Sequence, residues 1–328
     1  MGATAVTCLN ILNVSYVQER PYRLSMTNRR PRTKRTRTGK RIEITPRDLA
    51  IFRTLARYRY LPSTYLHAIA GGASKTRFKE RLGDLFHEGY LDRPEQQWEY
   101  AGALHRPAIH ALGDRSLPLL ETPDTRAEAR TFLTSGVHRQ FVHAVLVCEC
   151  LASIELAAVA CGTARFVSWP EILSRAPAAA KTAALPYRIP VGERAIVPDG
   201  LFGLEYDGGG RKTYRFFALE VDRATMPVSR SDVRQTSYLA KLALYRRIIA
   251  TQAYRTQWGI PNLFVLTVTT SESHLAAIMQ AFADRPECAS VFLFKAIDAQ
   301  VLAKPFLGLL REPWQRMGHE PLAIAAAN

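Results

Sequence analysis

The chain has 328 residues, 47% hydrophobic and 22% charged, and carries a formal charge of +15. This is the make-up of a soluble globular protein with room for two ordinary cores. No apolar run approaches the ~18 residues that a membrane span needs, because His143, Glu149 and Glu155 interrupt the richest stretch, Phe141 to Cys161. The five cysteines form no CxxC pair and no Cys/His spacing typical of zinc. That pattern suits a reducing compartment and small core roles for Cys148, Cys150 and Cys161. With no amphipathic anchor or lipidation signal, a cytoplasmic protein is expected.

The charge is uneven. Residues 1–120 carry 21 Lys/Arg against 10 Asp/Glu, whereas residues 121–328 carry 23 against 19. A basic half joined to a nearly neutral one points to a polyanion read by the N-terminal part. Residues 1–25 lack the basic start and cleavage site of a signal peptide, and Met26 reads as the more natural start. Residues 1–44 are expected to be disordered. Eight Lys/Arg between Thr27 and Ile42 make this a flexible phosphate-binding arm, with Arg35, Arg37, Lys40 and Arg41 as candidate DNA contacts. The alternative is a solubilising tail.

Thr45-Pro46-Arg47-Asp48 is a helix start, and Leu49, Ile51, Phe52, Leu55 and Ala56 follow at helical spacing. A second helix opens at Ser63 and stops at Gly71-Gly72. A third opens at Ser74, with Phe78, Leu82, Leu85 and Phe86 inward and Lys75, Arg77, Lys79 and Arg81 outward. Residues 91–100 and 104–113 then read as the extended arms of a hairpin around Ala101-Gly102-Ala103. This is the winged helix-turn-helix order, placed over residues 45–118. Its third helix would enter the major groove through Ser74, Lys75, Arg77, Lys79 and Arg81, with Arg106 of the wing on a flanking phosphate. A winged helix that binds protein is the other reading.

Residues 114–127 lack periodicity and are expected to be a linker. A helix over 128–161 follows, then extended segments 165–173, 194–206 and 212–222, with a turn at Asp207–Gly210 before the last. A helix over about 229–254, a strand over 262–270, a helix over 272–283 and a strand over 291–297 complete the order. Past Lys304 no element is assigned, and the tail from Gly318 is expected to fray. The α-β-β-β-α-β-α-β order implies a mixed sheet flanked by helices.

Glu220 and Asp222 lie two apart in an expected strand, so both point to one face. With the turn centred on Gly208-Gly209, Asp199 falls opposite Ala218 and shares that face, while Phe217, Leu219 and Val221 point the other way. Three carboxylates on one face call for a cation, and Mg²⁺ or Mn²⁺ bridging to a phosphate oxygen suits them. Salt bridges to Arg215, Arg223 and Lys212 are the competing reading. Arg234, Tyr238, Lys241 and Tyr245 form a polar stripe that either steadies a phosphate or is a solvated face.

Asp199, Glu220 and the element order resemble the PD-(D/E)XK nuclease fold. The phrases VPDGLFGL, FALEVDRAT and KLALYRR, with the winged helix and linker, resemble the replication-relaxation family over about residues 45–300. The resemblance implies an α+β fold, with the winged helix followed by a restriction-endonuclease-like domain over residues 128–310. It also implies a protein of plasmid or mobile-element replication and mobilisation, acting as a metal-dependent DNA-nicking relaxase. Asp199, Glu220 and Asp222 would then hold Mg²⁺ or Mn²⁺. Asp222 stands where many such nucleases have lysine, a role that Lys241 would take over. Double-stranded DNA is the expected partner, alongside a second copy or relaxosome and replication proteins, and no membrane. The alternative is a non-catalytic replication initiator or transcriptional regulator whose nuclease-like domain only dimerises. No histidine pair has the usual relaxase spacing, Gly208–Gly210 is not followed by Lys-Ser/Thr, and no Gly-x-Ser-x-Gly elbow occurs.

Overall fold

The computed structural model describes residues 30–72, 74–99, 102–120, 141–223, 238–283 and 289–326. Helix α1 (Pro46–Tyr58) opens on a reciprocal cap: the Thr45 side chain accepts from the Asp48 N–H while Asp48 accepts from the Thr45 N–H. Helix α2 (Ser63–Ala70) ends at Gly71, whose φ of +70° suits a residue without Cβ. Helix α3 (Lys75–His87) starts at the Ser74 cap. Phe52 and Leu55 of α1, Tyr65 of α2, and Phe78, Leu82 and Leu85 of α3 meet in one core. Strands β1 (Leu61–Pro62), β2 (Leu91–Asp92) and β3 (Ile109–Leu112) close it as an antiparallel sheet of order β1-β3-β2.

The hairpin is shorter than the sequence suggests. Residues 95–98 and 103–105 are 3-10 turns, since Pro94 and Pro107 have no N–H for a ladder. The Gln97 side chain substitutes for it, accepting from the Ile109 N–H at 2.8 Å and donating to the Ile109 carbonyl at 3.0 Å. Residues 30–45 take neither helix nor strand, yet they are not a loose arm. Arg35 donates to the Phe86 and Leu91 carbonyls at 3.0 Å, Thr38 donates to Glu88 at 2.7 Å, and Ile42 is buried. Arg30 and Lys40 both pair with Asp84. Acids at the far end of α3 thus turn a cationic segment into a strap. The arm before Arg30, the linker residues 121–127 and the expected helix before Phe141 lie outside the described residues.

Helix α4 (Phe141–Cys161) is long and apolar enough to cross a bilayer by length and composition, contrary to the sequence expectation. Its faces are taken up inside the protein. Leu146, Cys150, Ile154 and Ala157 pack on the large sheet, while Cys148 and Ala152 join the N-terminal core. The Tyr65 hydroxyl lies 2.9 Å from both Ser153 Oγ and the Leu302 carbonyl, and Arg57 binds Glu155. The linker expectation also shortens, because residues 114–119 form a 3-10 turn and Leu117 and Leu120 are buried in the N-terminal core.

The remaining elements are β4 (Arg165–Val167), α5 (Trp169–Arg175), α6 (Ala178–Lys181), β5 (Ile189–Val191), β6 (Arg194–Ile196), β7 (Gly200–Asp207), β8 (Lys212–Asp222), α7 (Tyr238–Ala250), α8 (Ala253–Trp258), β9 (Phe264–Thr269), α9 (Glu272–Ala283), β10 (Phe292–Ala296), α10 (Gly308–Arg311), β11 (Trp314–Arg316) and β12 (His319–Leu322). Strands β12-β11-β10-β9-β8-β7-β4 form one sheet, parallel at β8-β9-β10 and antiparallel elsewhere. Four expected spans change. The 165–173 strand ends at Val167 because Ser168 and Pro170 open α5. The 194–206 strand breaks at Val197-Pro198-Asp199. The helix over 229–254 breaks before Gln252, which has φ +53°. The chain past Gly318 is not frayed: β12 pairs with β11, and the Tyr206 hydroxyl donates to the buried Ile324 carbonyl at 2.7 Å. The sheet therefore runs past residue 310.

Candidate functional site

The β7-β8 hairpin turns at Gly208–Arg211, with Gly209 and Gly210 at positive φ and the Gly208 N–H donating to the Arg211 carbonyl at 3.1 Å. Leu201, not Asp199, therefore stands opposite Ala218, and Gly200 stands opposite Leu219. The register moves by two residues, so every side chain keeps its face. One step further along, Asp199 comes abreast of Glu220, and its Oδ2 accepts from the Val221 N–H at 2.9 Å. Phe217, Leu219 and Val221 pack towards α4, whereas Phe216 and Ala218 pack towards α7. Glu220 and Asp222 share that second face.

Lys241, from α7, joins the first two acids. Its Nζ lies 3.9 Å from Asp199 Oδ2 and makes a closer ion pair with Glu220 Oε2. The Tyr245 hydroxyl, one turn on, donates to Glu220 Oε1. Tyr238, one turn before, bonds Thr267 at 2.6 Å. The stripe of Tyr238, Lys241 and Tyr245 is thus an inward polar face, not a solvated one, with both tyrosines at most 2% exposed. Arg234 lies outside the described residues. Burial opposes ionisation of Asp199, but the hydrogen bond from His143 and the Lys241 charge outweigh it and hold its carboxyl below the usual range. Burial pushes Glu220 well up, and the Asp199 charge adds to this against Lys241 and Tyr245. Burial would lower the Lys241 ammonium, yet Glu220 and Asp199 overcome it and keep it protonated.

Asp222 has a direct partner of its own. Its Oδ2 lies 2.7 Å from His274 Nε2, at the start of α9. Among the described residues no group of three or more His, Cys, Asp or Glu side chains is placed to hold a metal ion, so the expected three-carboxylate cluster is corrected to a pair. Of the competing cations, Lys212 binds Glu205 at 2.7 Å, Arg215 donates to the Ala326 carbonyl at 3.1 Å, and Arg223 is exposed. Two histidines that the sequence alone does not single out partner these acids. His143 Nε2 lies 3.2 Å from Asp199 Oδ1, and His274 partners Asp222. His143 is legible in the sequence only as a polar break in an apolar helix.

At the N-terminal module, Lys75, Arg77 and Lys79 stand exposed on α3, beyond the Ser74 cap. Arg81 does not stand with them. It donates to both Asp48 oxygens, at 3.1 and 2.5 Å, and to the Glu43 carbonyl at 2.6 Å. Arg35 and Lys40 are likewise drawn to Asp92 and Asp84. Arg37, Arg41 and Arg106 are exposed.

The replication-relaxation family model matches residues 52–263. The chain belongs to the replication-relaxation family. The replication-relaxation match runs from the middle of α1 to the residue before β9, so it takes in α3, His143, Asp199, Glu220, Asp222 and Lys241 but stops short of His274. No curated protein and no solved structure matches the chain.

Proposed function

We propose that the chain binds duplex DNA at a plasmid or mobile-element origin through an N-terminal winged helix, and nicks it at the Asp199–Glu220–Lys241 site of a nuclease-like domain. The observation that carries this reading is the convergence of two acids and a lysine, from the turn before β7, from β8 and from α7, at one sheet face. The succession α4-β4-β7-β8-α7-β9 around the large sheet, with α5, α6, β5 and β6 inserted after β4, and the exposed cations of α3 support it. Mg²⁺ commonly takes one or two carboxylates and completes its shell with water and phosphate, so Asp199 and Glu220 fit as its protein ligands. When bound it would polarise a phosphate oxygen. The chain's own residues do the rest: His143 orients Asp199, Tyr245 holds Glu220, and Lys241 offers positive charge to a phosphate. Double-stranded DNA is the partner, and the compartment is the cytoplasm.

A second reading has its own observation. Lys241 already balances Asp199 and Glu220, and Asp222 is taken by His274, which suits a non-catalytic initiator or regulator. Supercoiled plasmid carrying the protein's own origin, incubated with Mg²⁺ or Mn²⁺, separates the two. Nicked circles that vanish with Asp199→Asn or Glu220→Gln, while origin binding persists, support the relaxase. Origin binding without nicking supports the regulator.

A further inference from the structure

Between the hairpin loop of the module and the start of α4 lies a cavity of about 320 Å³, at the small end of the roughly 300–1,000 Å³ typical of ligand sites. Pro107 and Ile109 from the module and Phe141 and Val145 from α4 line it with apolar surface. Arg106 and Arg223, both exposed, also border it and mark its mouth. Arg223 directly follows Asp222, and the lining residue Val142 precedes His143, which holds Asp199. The cavity therefore lies next to the acid site along the chain and is bordered by the module on its other side.

Gln97, Thr270 and Glu149 are the polar side chains of the lining besides the two arginines. Glu149 borders the cavity, is 7% exposed, and has no hydrogen bond or ion pair among the described residues. Burial pushes its carboxyl well above the usual range, and the charge of Arg106 offsets this only in part. A protonated carboxyl presents one donor and one acceptor side by side. All four bases carry an adjacent donor and acceptor on their pairing edge, so such an acid can bond any base that has left its partner. Apolar walls that take a base face, with a polar group on its pairing edge, are how extruded bases are held.

We infer that this cavity takes a single unpaired nucleotide of the DNA, its base against Phe141 with the pairing edge on Glu149, and its phosphates on Arg106 and Arg223. The inference rests on the proposed action on DNA. It supplies what lies between duplex recognition by the module and the acid site, namely a slot reached only by a base outside the stack.

The test uses the full chain in EDTA, so cleavage plays no part, and two duplexes of one sequence. One carries a single bulged 2-aminopurine, the other an abasic bulge. The base-bearing duplex is expected to bind about tenfold tighter, as one or two well-made hydrogen bonds allow, with a change in 2-aminopurine fluorescence on binding. Glu149→Gln keeps a donor and an acceptor and should keep the preference. Glu149→Leu fits the apolar wall and should abolish it, with a melting curve run alongside to check the fold. Equal affinity for the two duplexes, or a preference that survives Glu149→Leu, overturns the inference. A protein that nicks plasmid without this preference refutes the slot alone. A protein that binds neither duplex refutes the DNA reading, and the slot with it.

Discussion

At the scale of single residues the acid site hangs on Lys241. Asp199 and Glu220 are both withdrawn from water, and buried carboxylates this close are tolerated only with a compensating cation. Lys241→Met keeps the length of the side chain but removes its charge, leaving two buried acids to repel each other. It should cost about 3–5 kcal/mol, the range for breaking a buried pair from one side. Glu220→Gln in the same chain should recover part of this, because the remaining Asp199 no longer faces a second carboxylate. Urea unfolding of the two single variants and the double variant gives the coupling directly. Strict additivity would mean that Lys241 and Glu220 do not act as a pair.

Among the elements, α3 divides its cations between two tasks. Lys75, Arg77 and Lys79 reach into solvent, whereas Arg81 is folded back onto Asp48, which is 1% exposed and caps α1. Alanine at Lys75, Arg77 and Lys79 should weaken duplex binding and flatten its salt dependence, the slope falling by roughly 0.9 for each phosphate no longer neutralised. The melting temperature should stay nearly unchanged. Arg81→Ala should do the reverse. It strands a buried carboxylate, at a cost of about 1–3 kcal/mol, and leaves the salt slope nearly as it was. Titrations at several salt concentrations, paired with melting curves, check both. A salt slope that follows Arg81 instead would move the reading surface towards the start of α1.

For the whole molecule the decisive element is α4, which serves two cores at once. Cys148 and Ala152 pack into the module while Leu146, Cys150 and Ile154 pack on the sheet. The Tyr65 hydroxyl ties the module to Ser153 and to the chain at Leu302. Two bodies that share a buried helix cannot open separately without exposing its apolar faces. Calorimetry should therefore give a single transition with matching calorimetric and van't Hoff enthalpies. Two resolved transitions would mean that the module opens by itself and leaves α4 on the sheet.

The local features of this protein were legible in the sequence because each rests on neighbours along the chain. The Thr45 and Ser74 caps, the apolar faces of α1 and α3, the alternation that sends Glu220 and Asp222 to one face, and the span of α9 all follow from helical or strand period. The phrases around Asp199, Glu220 and Lys241 were enough to point to the family. Partnerships were another matter, because they join residues far apart in the chain. Whether Arg81 and Lys40 are free depends on where Asp48 and Asp84 come to lie. Likewise, Asp222 finds its partner in His274, 52 positions on. His143 reaches Asp199 only because α4 lies across the sheet. The sequence marks 141–161 as too interrupted by His143, Glu149 and Glu155 to span a membrane, but it does not say which surfaces the helix covers. Packing alone made it the seam, since only the folded chain sets two apolar surfaces against it.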